Sequence, residues 1–477
     1  MNSRLVILSA VFSIGVFSVA LNAQVTQPTA EVVPLLPESD ISPFPDATPK
    51  RVVDVTTRVF PAVVRIDVAQ EVFEDGKRTL RRGIGSGVII DNEGRILTNY
   101  HVAGRAAEIK ITLFNKERVN ARLLGDDHWT DLAVVQMDMD EVRQRNIHFN
   151  YAELGQSKTL VTGQDVIAIG TPFGLSRTMT LGIVSNTERT FYPEQSSIDE
   201  YETGWFSNWI QMDTPIAPGN SGGPLVDLDG RIVGINTRGI QGQALNFAIP
   251  IDAAKEVIDQ ILKTSGDGKK GRVTRADIGI DFKPLQELES FYEIEINRGA
   301  LVSSVDRASP SARAGVRPQD ILLAIDGEPI NVRFPEEIAP AKARISRLDL
   351  TKPVTLSVKR GGETLELAMT PERLQSTVGE EREVKAWGLS VRQITRRLSV
   401  EQKLDDTKGV IVTSVSPNFP GDRAQLRAGD VIRKIDGKPV DDLEAFEQMF
   451  ESQKDQNQFL LEILRGRGVR SAVLKIG

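Results

Sequence analysis

No cysteine occurs among the 477 residues. Disulfides, thiolate nucleophiles and cysteine-ligated zinc or iron–sulfur sites are excluded, although an exported protein can do without disulfides. Histidine is nearly absent too, with three copies, so chemistry that needs an imidazole has only three candidates. No cluster of His, Asp and Glu has metal-ligand spacing, and no nucleotide-triphosphate loop is present. Gly83-Ile84-Gly85-Ser86-Gly87 has the look of a dinucleotide fingerprint, but no βαβ unit follows it, and that reading is rejected. Neither a metal nor a cofactor is expected. No long basic block appears and the net charge is −7, so nucleic acid is not an expected partner. Long apolar runs are lacking, with one exception at the start, where an uncharged stretch from Leu5 to Leu21 follows Arg4. Small residues at Ser18, Ala20 and Ala23 fit a signal peptide over residues 1–23, cleaved after Ala20 or Ala23. Left uncleaved, the run is close to the roughly 18 residues that span a bilayer and would anchor the chain to the membrane.

With 40% hydrophobic and 26% charged residues, the composition is that of a soluble chain, and its length predicts about three domains of roughly 150 residues. Residues 24–50 carry six prolines (Pro28, Pro34, Pro37, Pro43, Pro45 and Pro49) and read as an extended linker, or as an arm packing on a neighbouring subunit. From 51 to 265, short β-type runs alternate with Gly and Asn/Asp turns, for example Val63-Val64-Arg65-Ile66 and Arg231-Ile232-Val233-Gly234-Ile235. That pattern predicts an all-β barrel or sandwich. A helix is expected after Pro250, with Asp252 as cap and Val257, Ile258, Ile261 and Leu262 as its apolar face. Beyond it, Gly299–Ile330 aligns without a gap to Gly409–Val440, with 13 of 32 positions identical. These are two copies of one module, expected over 273–372 and 384–477, because a solenoid needs at least about three repeats. Gln375–Glu383 between them is polar and reads as a linker.

The chemistry centres on Gly219-Asn220-Ser221-Gly222-Gly223-Pro224. A serine hydroxyl becomes a nucleophile when a base takes its proton and converging backbone amides hold the oxyanion that forms. Glycines let a turn present its amides without steric cost. Of the three histidines, His128 and His148 lie in turn-like stretches without partner motifs and are expected to be structural or solvated. His101 follows the strand Arg95–Tyr100 and is the candidate base. Asp131 heads the apolar run Leu132–Val135, where an unpaired carboxylate would be costly, and a histidine partner removes that cost. The chain order His101, Asp131, Ser221 is the chymotrypsin-type order rather than the subtilisin or α/β-hydrolase one.

Thr98–Val102, Thr130–Val135, Gly170–Leu175, Gly219–Val226 and Asn246–Pro250 together resemble the motifs of the HtrA/DegP family, and the repeat resembles PDZ domains, most clearly at Ala428–Val440. The resemblance implies a mainly β protein, a chymotrypsin-like double β-barrel protease domain followed by two PDZ domains. It implies Ser221 as nucleophile, His101 as base, Asp131 as orienter, and the amides of Gly219 and Ser221 as the oxyanion hole. The substrate pocket maps to Ile216 and Leu245, with Gly239 or Ile240 as the third wall. An uncharged pocket of that kind takes Val or Ala rather than Lys or Arg; the alternative for Ile216 and Leu245 is plain barrel core. Arg189 aligns with a regulatory relay arginine, at the head of a long acidic and aromatic loop from Asn186 to Asn208. The loop Glu71–Arg82 is short for a DegP-like cage. Ile278-Gly279-Ile280 and Trp387-Gly388-Leu389 align with the loops that hold peptide C-termini in PDZ domains. By resemblance, the protein is an exported, periplasmic, ATP-independent endopeptidase of protein quality control, acting on unfolded or damaged polypeptides as a homotrimer or larger assembly. Two other readings remain: a non-proteolytic chaperone or peptide-binding scaffold, and a regulatory protease that senses one C-terminus.

Overall fold

The computed structural model describes residues 45–172, 177–190, 201–240, 244–266, 268–286, 298–453 and 455–476, with the side chain of Ile240 outside that set. The signal peptide and most of the proline-rich arm therefore lie outside the described residues. The described chain opens on α1 (Pro49–Val59), where Thr48 accepts from the Arg51 amide and Pro49 occupies the first turn. Val55 and Val59 bury one face of this helix against the barrel core.

Six strands form the first barrel: β1 (Val63–Glu74), β2 (Lys77–Ile89), β3 (Arg95–Thr98), β4 (Ala106–Thr112), β5 (Arg118–Asp127) and β6 (Leu132–Met137). Their order is β5-β4-β1-β2-β3-β6, and a β5–β6 pairing closes the ring. Short helices α2 (Tyr100–Ala103) and α3 (Met139–Gln144) follow β3 and β6. The second barrel is closed by β7 (Asp165–Gly170), β8 (Thr178–Arg189), β9 (Trp209–Met212), β10 (Pro224–Val226), β11 (Ile232–Ile240) and β12 (Leu245–Pro250). Closure leaves neither barrel an open edge. Alternate residues of the strands fill two apolar interiors, one led by Ile66, Ile96 and Val135, the other by Val166, Ile210 and Leu225. A third cluster joins the barrels to α4 (Ile251–Thr264), whose Val257, Ile258 and Ile261 are buried as the periodicity predicts. Asp252 does not cap this helix. It sits in the first turn and accepts from Ser157 Oγ and the Lys158 amide instead.

The stretch Glu71–Arg82 is not a loop. β1 and β2 pair in unbroken register from Val63↔Val88 to Glu74↔Lys77. The turn is Asp75-Gly76, both with positive φ (50° and 71°), the two-residue geometry that matches strand twist. The outer half of β2 is exposed, so this hairpin projects from the barrel.

After β13 (Gly271–Arg272), which adds parallel to β5, the two repeats fold as small β-modules. The first has β14 (Ala276–Asp277), β15 (Ile280–Lys283), β16 (Ala300–Val305), α5 (Pro310–Ala314), β17 (Ile321–Ile325), β18 (Glu328–Pro329), α6 (Ile338–Ser346), β19 (Val354–Arg360), β20 (Glu363–Met369) and β21 (Glu372–Arg373). The second has β22 (Glu381–Val384), β23 (Leu389–Gln393), α7 (Arg396–Glu401), β24 (Val410–Val415), α8 (Pro420–Arg423), β25 (Val431–Ile435), β26 (Lys438–Pro439), α9 (Leu443–Ser452), β27 (Gln458–Arg465) and β28 (Gly468–Lys475). Asp320 and Asp430, identical in the repeat, are buried and each pairs with an arginine of a later strand, Arg360 at 2.7 Å and Arg465 at 2.6 Å. The modules differ at one edge. β15 is the end strand of its sheet, whereas β23 is covered by β22, supplied by the stretch expected to be a linker.

Candidate active site

Strand β3 ends at Thr98, and the chain turns into α2, whose second residue is His101. β6 pairs with β3 through Thr98↔Ala133, which brings Asp131 beside α2. Asp131 adopts φ 57°, and its side chain is fully buried. The imidazole Nδ1 of His101 lies 2.9 Å from both carboxylate oxygens, and the His101 amide donates to Oδ1 at 3.1 Å. Thr237 Oγ1 donates to Oδ2 at 2.7 Å. The Asp131 carbonyl accepts from the Tyr100 amide and from Asn99 Nδ2, both at 3.0 Å. Surrounded by donors, the carboxylate has no desolvation cost left unanswered. An imidazole that donates from Nδ1 in this way keeps Nε2 as its basic nitrogen.

Ser221 comes from the second barrel, on the turn before β10. That turn closes on itself through Asn220 N–H to Ala217 O and Gly223 N–H to Asn220 O, each 2.9 Å. Glycine is required at 222, where φ is 83° and a Cβ would lie 2.2 Å from the Ser86 carbonyl oxygen. Ser86, on β2 of the other barrel, pins the turn. Its amide donates to Ser221 O (2.8 Å), its hydroxyl donates to Gly219 O (2.6 Å), and the hydroxyl accepts from the Thr171 amide (2.8 Å). Among the described residues, no protein acceptor is paired with the N–H of Gly219 or of Ser221. The Ser221 hydroxyl itself donates to the Thr237 carbonyl at 2.9 Å.

Thr237 and Ser86 were not among the residues read from the sequence. Each left a trace. Asn236-Thr237 is a buried polar pair straight after the apolar run Ile232–Ile235, and Ser86 is the serine inside the glycine-rich run dismissed as a nucleotide motif. Gln70 was missed as well. From β1, its Nε2 donates to the carbonyls of His101 (2.9 Å) and Val102 (3.0 Å), holding α2 from below. The remaining histidines lie elsewhere. His148 is exposed. His128 packs among Tyr100, Trp129 and Tyr201, and burial pushes its imidazole down to about 4, against the pull of Asp127. Behind it, burial would push the Asp127 carboxyl up, but the paired Arg275 guanidinium holds it below the ordinary range.

The expected pocket residues lie together. Gly239 pairs with Asn246 and Ile240 with Leu245 across β11 and β12. A Cβ on Gly239 would stand 3.7 Å from Ile216 Cβ. Ile216 and Leu245 are half-buried, and Ile216 also packs on the second barrel's core. Arg189 Nε donates to Gln211 Oε1 at 2.7 Å. Of the stretch expected as a long loop, residues 186–189 belong to β8, and beyond residue 190 the described part is 201–208. Tyr201 stacks edge-on against Tyr100 (4.9 Å between centroids), next to His101. Trp205 meets Trp129 (4.9 Å), and Lys342 Nζ from α6 lies 3.7 Å from the Trp205 ring centre. Lys342 also pairs with Asp281 on β15 at 2.9 Å.

In the first repeat, Ile278 and Ile280 are buried and flank Gly279, whose φ is 71°. A Cβ there would lie 2.1 Å from Ser309 Cβ. In the second, Gly388 is just as constrained (φ 65°, 2.2 Å from Phe419 Cβ), and Leu389 is buried. Trp387 points inward. It is fully buried, with Phe446, Phe450 and Phe459 packed edge-on around it at 5.0–5.8 Å. No group of His, Asp and Glu among the described residues is placed to hold a metal ion.

Comparison with known proteins fits this geometry. The Trypsin-like peptidase domain family matches residues 85–235, and the PDZ domain family matches twice, at 276–370 and 387–476. A probable periplasmic serine endoprotease DegP-like from Chlamydia trachomatis serovar D is 32% identical over 397 residues, covering 82% of this chain and 74% of that protein. A protein of the same description from Hahella chejuensis is 30% identical over 459 residues, covering 88% and 92%. Among solved structures, the HtrA-type protease AlgW with a tripeptide superposes with a TM-score of 0.56 at 31% identity, covering 68% of this chain and 97% of that one.

Proposed function

From the premise that this chain belongs to the HtrA family of DegP-like serine endoproteases, we propose that it hydrolyses peptide bonds with Ser221, His101 and Asp131. The observation that carries this reading is the fully buried Asp131, 2.9 Å from His101 Nδ1 and joined through Thr237 to a serine turn whose amides at 219 and 221 have no protein acceptor among the described residues. The Ser221 hydroxyl leaves Thr237 O and passes its proton to His101 Nε2 as its oxygen adds to the scissile carbonyl. Asp131 holds the imidazole in the right tautomer and stabilises the imidazolium. The amides of Gly219 and Ser221 receive the oxyanion; losing one such donor costs about 10²–10³ in rate. When the C–N bond breaks, His101 returns the proton to the leaving amine, and a water activated by the same nitrogen then hydrolyses the acyl-enzyme.

Ile216, Gly239, Ile240 and Leu245 form an uncharged pocket for small or medium aliphatic side chains. The first PDZ domain receives peptide C-termini at Ile278-Gly279-Ile280, adding them along the open edge of β15. Occupancy is felt at the site through Lys342, which touches both Asp281 on that edge and Trp205 of the loop beside Tyr201 and Tyr100. Arg189, the last residue of β8, leads into the same loop. The substrates are unfolded or damaged proteins in the periplasm, the N-terminal segment is removed on export, and the chain works as a homotrimer or larger assembly. The test is labelling of the purified protein with a fluorophosphonate, beside Ser221→Ala. Labelling and casein cleavage lost with Ser221→Ala support the reading. An unlabelled wild type that leaves casein intact, with added C-terminal peptide, refutes it.

A further inference from the structure

The second PDZ domain differs from the first in a way its sequence does not announce. A peptide ligand would add antiparallel to β23, on the side away from β24 and under α9. β22 is already there. It pairs with β23 from Glu381↔Arg392 to Val384↔Leu389. Its side chains engage both walls: Arg382 bonds Glu447 of α9 at 2.9 Å, and Glu381 bonds Arg392 of β23 at 2.8 Å. The pairing continues upstream, with Gln393 N–H to Glu380 O (2.8 Å) and Thr395 Oγ1 to Thr377 O (2.9 Å).

The glycine loop of this domain has a partner of its own. The tip of the β1–β2 hairpin reaches it. Gly76 N–H donates to Ser414 Oγ at 2.8 Å, and Ser416 Oγ donates to the Asp75 carbonyl. Lys77 Nζ lies 5.3 Å from the Phe419 ring centre. The approach is so close that a Cβ on Gly76 would stand 2.6 Å from both Gly388 O and Ser416 N. Phe419 in turn covers Gly388.

We propose that the second PDZ domain is not a peptide receptor but a socket for the chain's own protease domain: the interdomain segment 381–384 fills its groove, and its Gly388–Phe419 corner grips the hairpin at Asp75–Lys77. Peptide C-termini then have one site per chain, on the first PDZ domain. The grip has a short route to the chemistry, because β1 runs from the gripped tip to Gln70, which holds the His101 carbonyl.

Hydrogen exchange on the full chain carrying Ser221→Ala tests this, with each variant read on the opposite partner. Ser414→Ala combined with Ser416→Ala changes only the PDZ side, and exchange at residues 74–78 is expected to speed up at least tenfold while β3 stays unchanged. Gly76→Val changes only the hairpin, and exchange at 386–391 and 414–419 is expected to speed up similarly; a turn that is merely strained would leave those residues alone. Residues 381–384 are expected to stay protected under a saturating pool of decapeptides with free Val, Leu, Ile or Phe C-termini. Unchanged exchange across the hairpin contact in both variants overturns the socket. Tenfold faster exchange of 381–384 on adding the peptides overturns the filled groove. Neither readout depends on proteolysis, so loss of the protease reading would not be mistaken for loss of this one.

Discussion

Replacing Thr237 by Val isolates one hydrogen bond. Valine keeps the shape and removes only the hydroxyl that donates 2.7 Å to Asp131 Oδ2. Thr237 is buried and Asp131 is fully so, and solvent therefore does not replace the lost donor. A hydrogen bond to a charged group contributes about 1.5–3 kcal/mol. If that cost falls on the transition state, in which Asp131 must also stabilise the imidazolium, the rate drops roughly 10- to 150-fold. The loss should appear in kcat, with KM on a fluorogenic peptide within about threefold of wild type, because nothing in the substrate pocket changes. Thr237→Ser keeps the hydroxyl and should recover most of the activity. Activity of Thr237→Val within twofold of wild type would refute the argument that Asp131 needs this third partner.

Three further outcomes follow from the same geometry. Ser86→Ala removes the bonds to Gly219 O and from the Thr171 amide, so the serine turn loosens; kcat should fall at least about tenfold, with a melting temperature a few degrees lower, by activity assay and calorimetry. Gly222→Ala places a Cβ against Ser86 O at positive φ and should abolish fluorophosphonate labelling even where the protein still folds by circular dichroism. His128 is held near 4 when folded, against an ordinary 6.5, so below about 6.5 the unfolded chain takes up a proton that the folded one refuses. Its contribution to stability is present above that pH and is lost as pH falls toward 4, on the order of 3 kcal/mol at most. His128→Phe keeps the packing with Tyr100 and Tyr201, and its melting temperature should decline less steeply than that of wild type between pH 6.5 and 4; parallel curves would count against this account.

The division of labour between sequence and tertiary structure is visible residue by residue. Local pattern was enough for the buried strands of the barrels, for the buried face of α4 and for the repeat, because side-chain period and turn chemistry are carried by neighbours in the chain. It was enough to single out His101, Asp131 and Ser221, since an acid heading an apolar run and a serine among glycines are costly choices without a purpose. It was not enough for Asp252, whose capping role yielded to Ser157 and Lys158, partners from a distant segment. The Asp75-Gly76 turn was legible in principle, and the hairpin there was missed because the flanking residues are polar on a projecting arm.

By itself, then, the sequence determined the architecture and the two modules, and it named the candidate triplet. Only the tertiary structure decided what those groups face. Ser86, Thr237 and Gln70 act across barrels and strands, at 135, 106 and 31 residues from the groups they hold, and no local period encodes such a pairing. The same holds for the second PDZ domain. Its glycine loop reads like that of the first, and only the packed chain places β22 along its edge and the hairpin tip on its corner, because which backbone covers an open strand is settled by where the rest of the chain can reach.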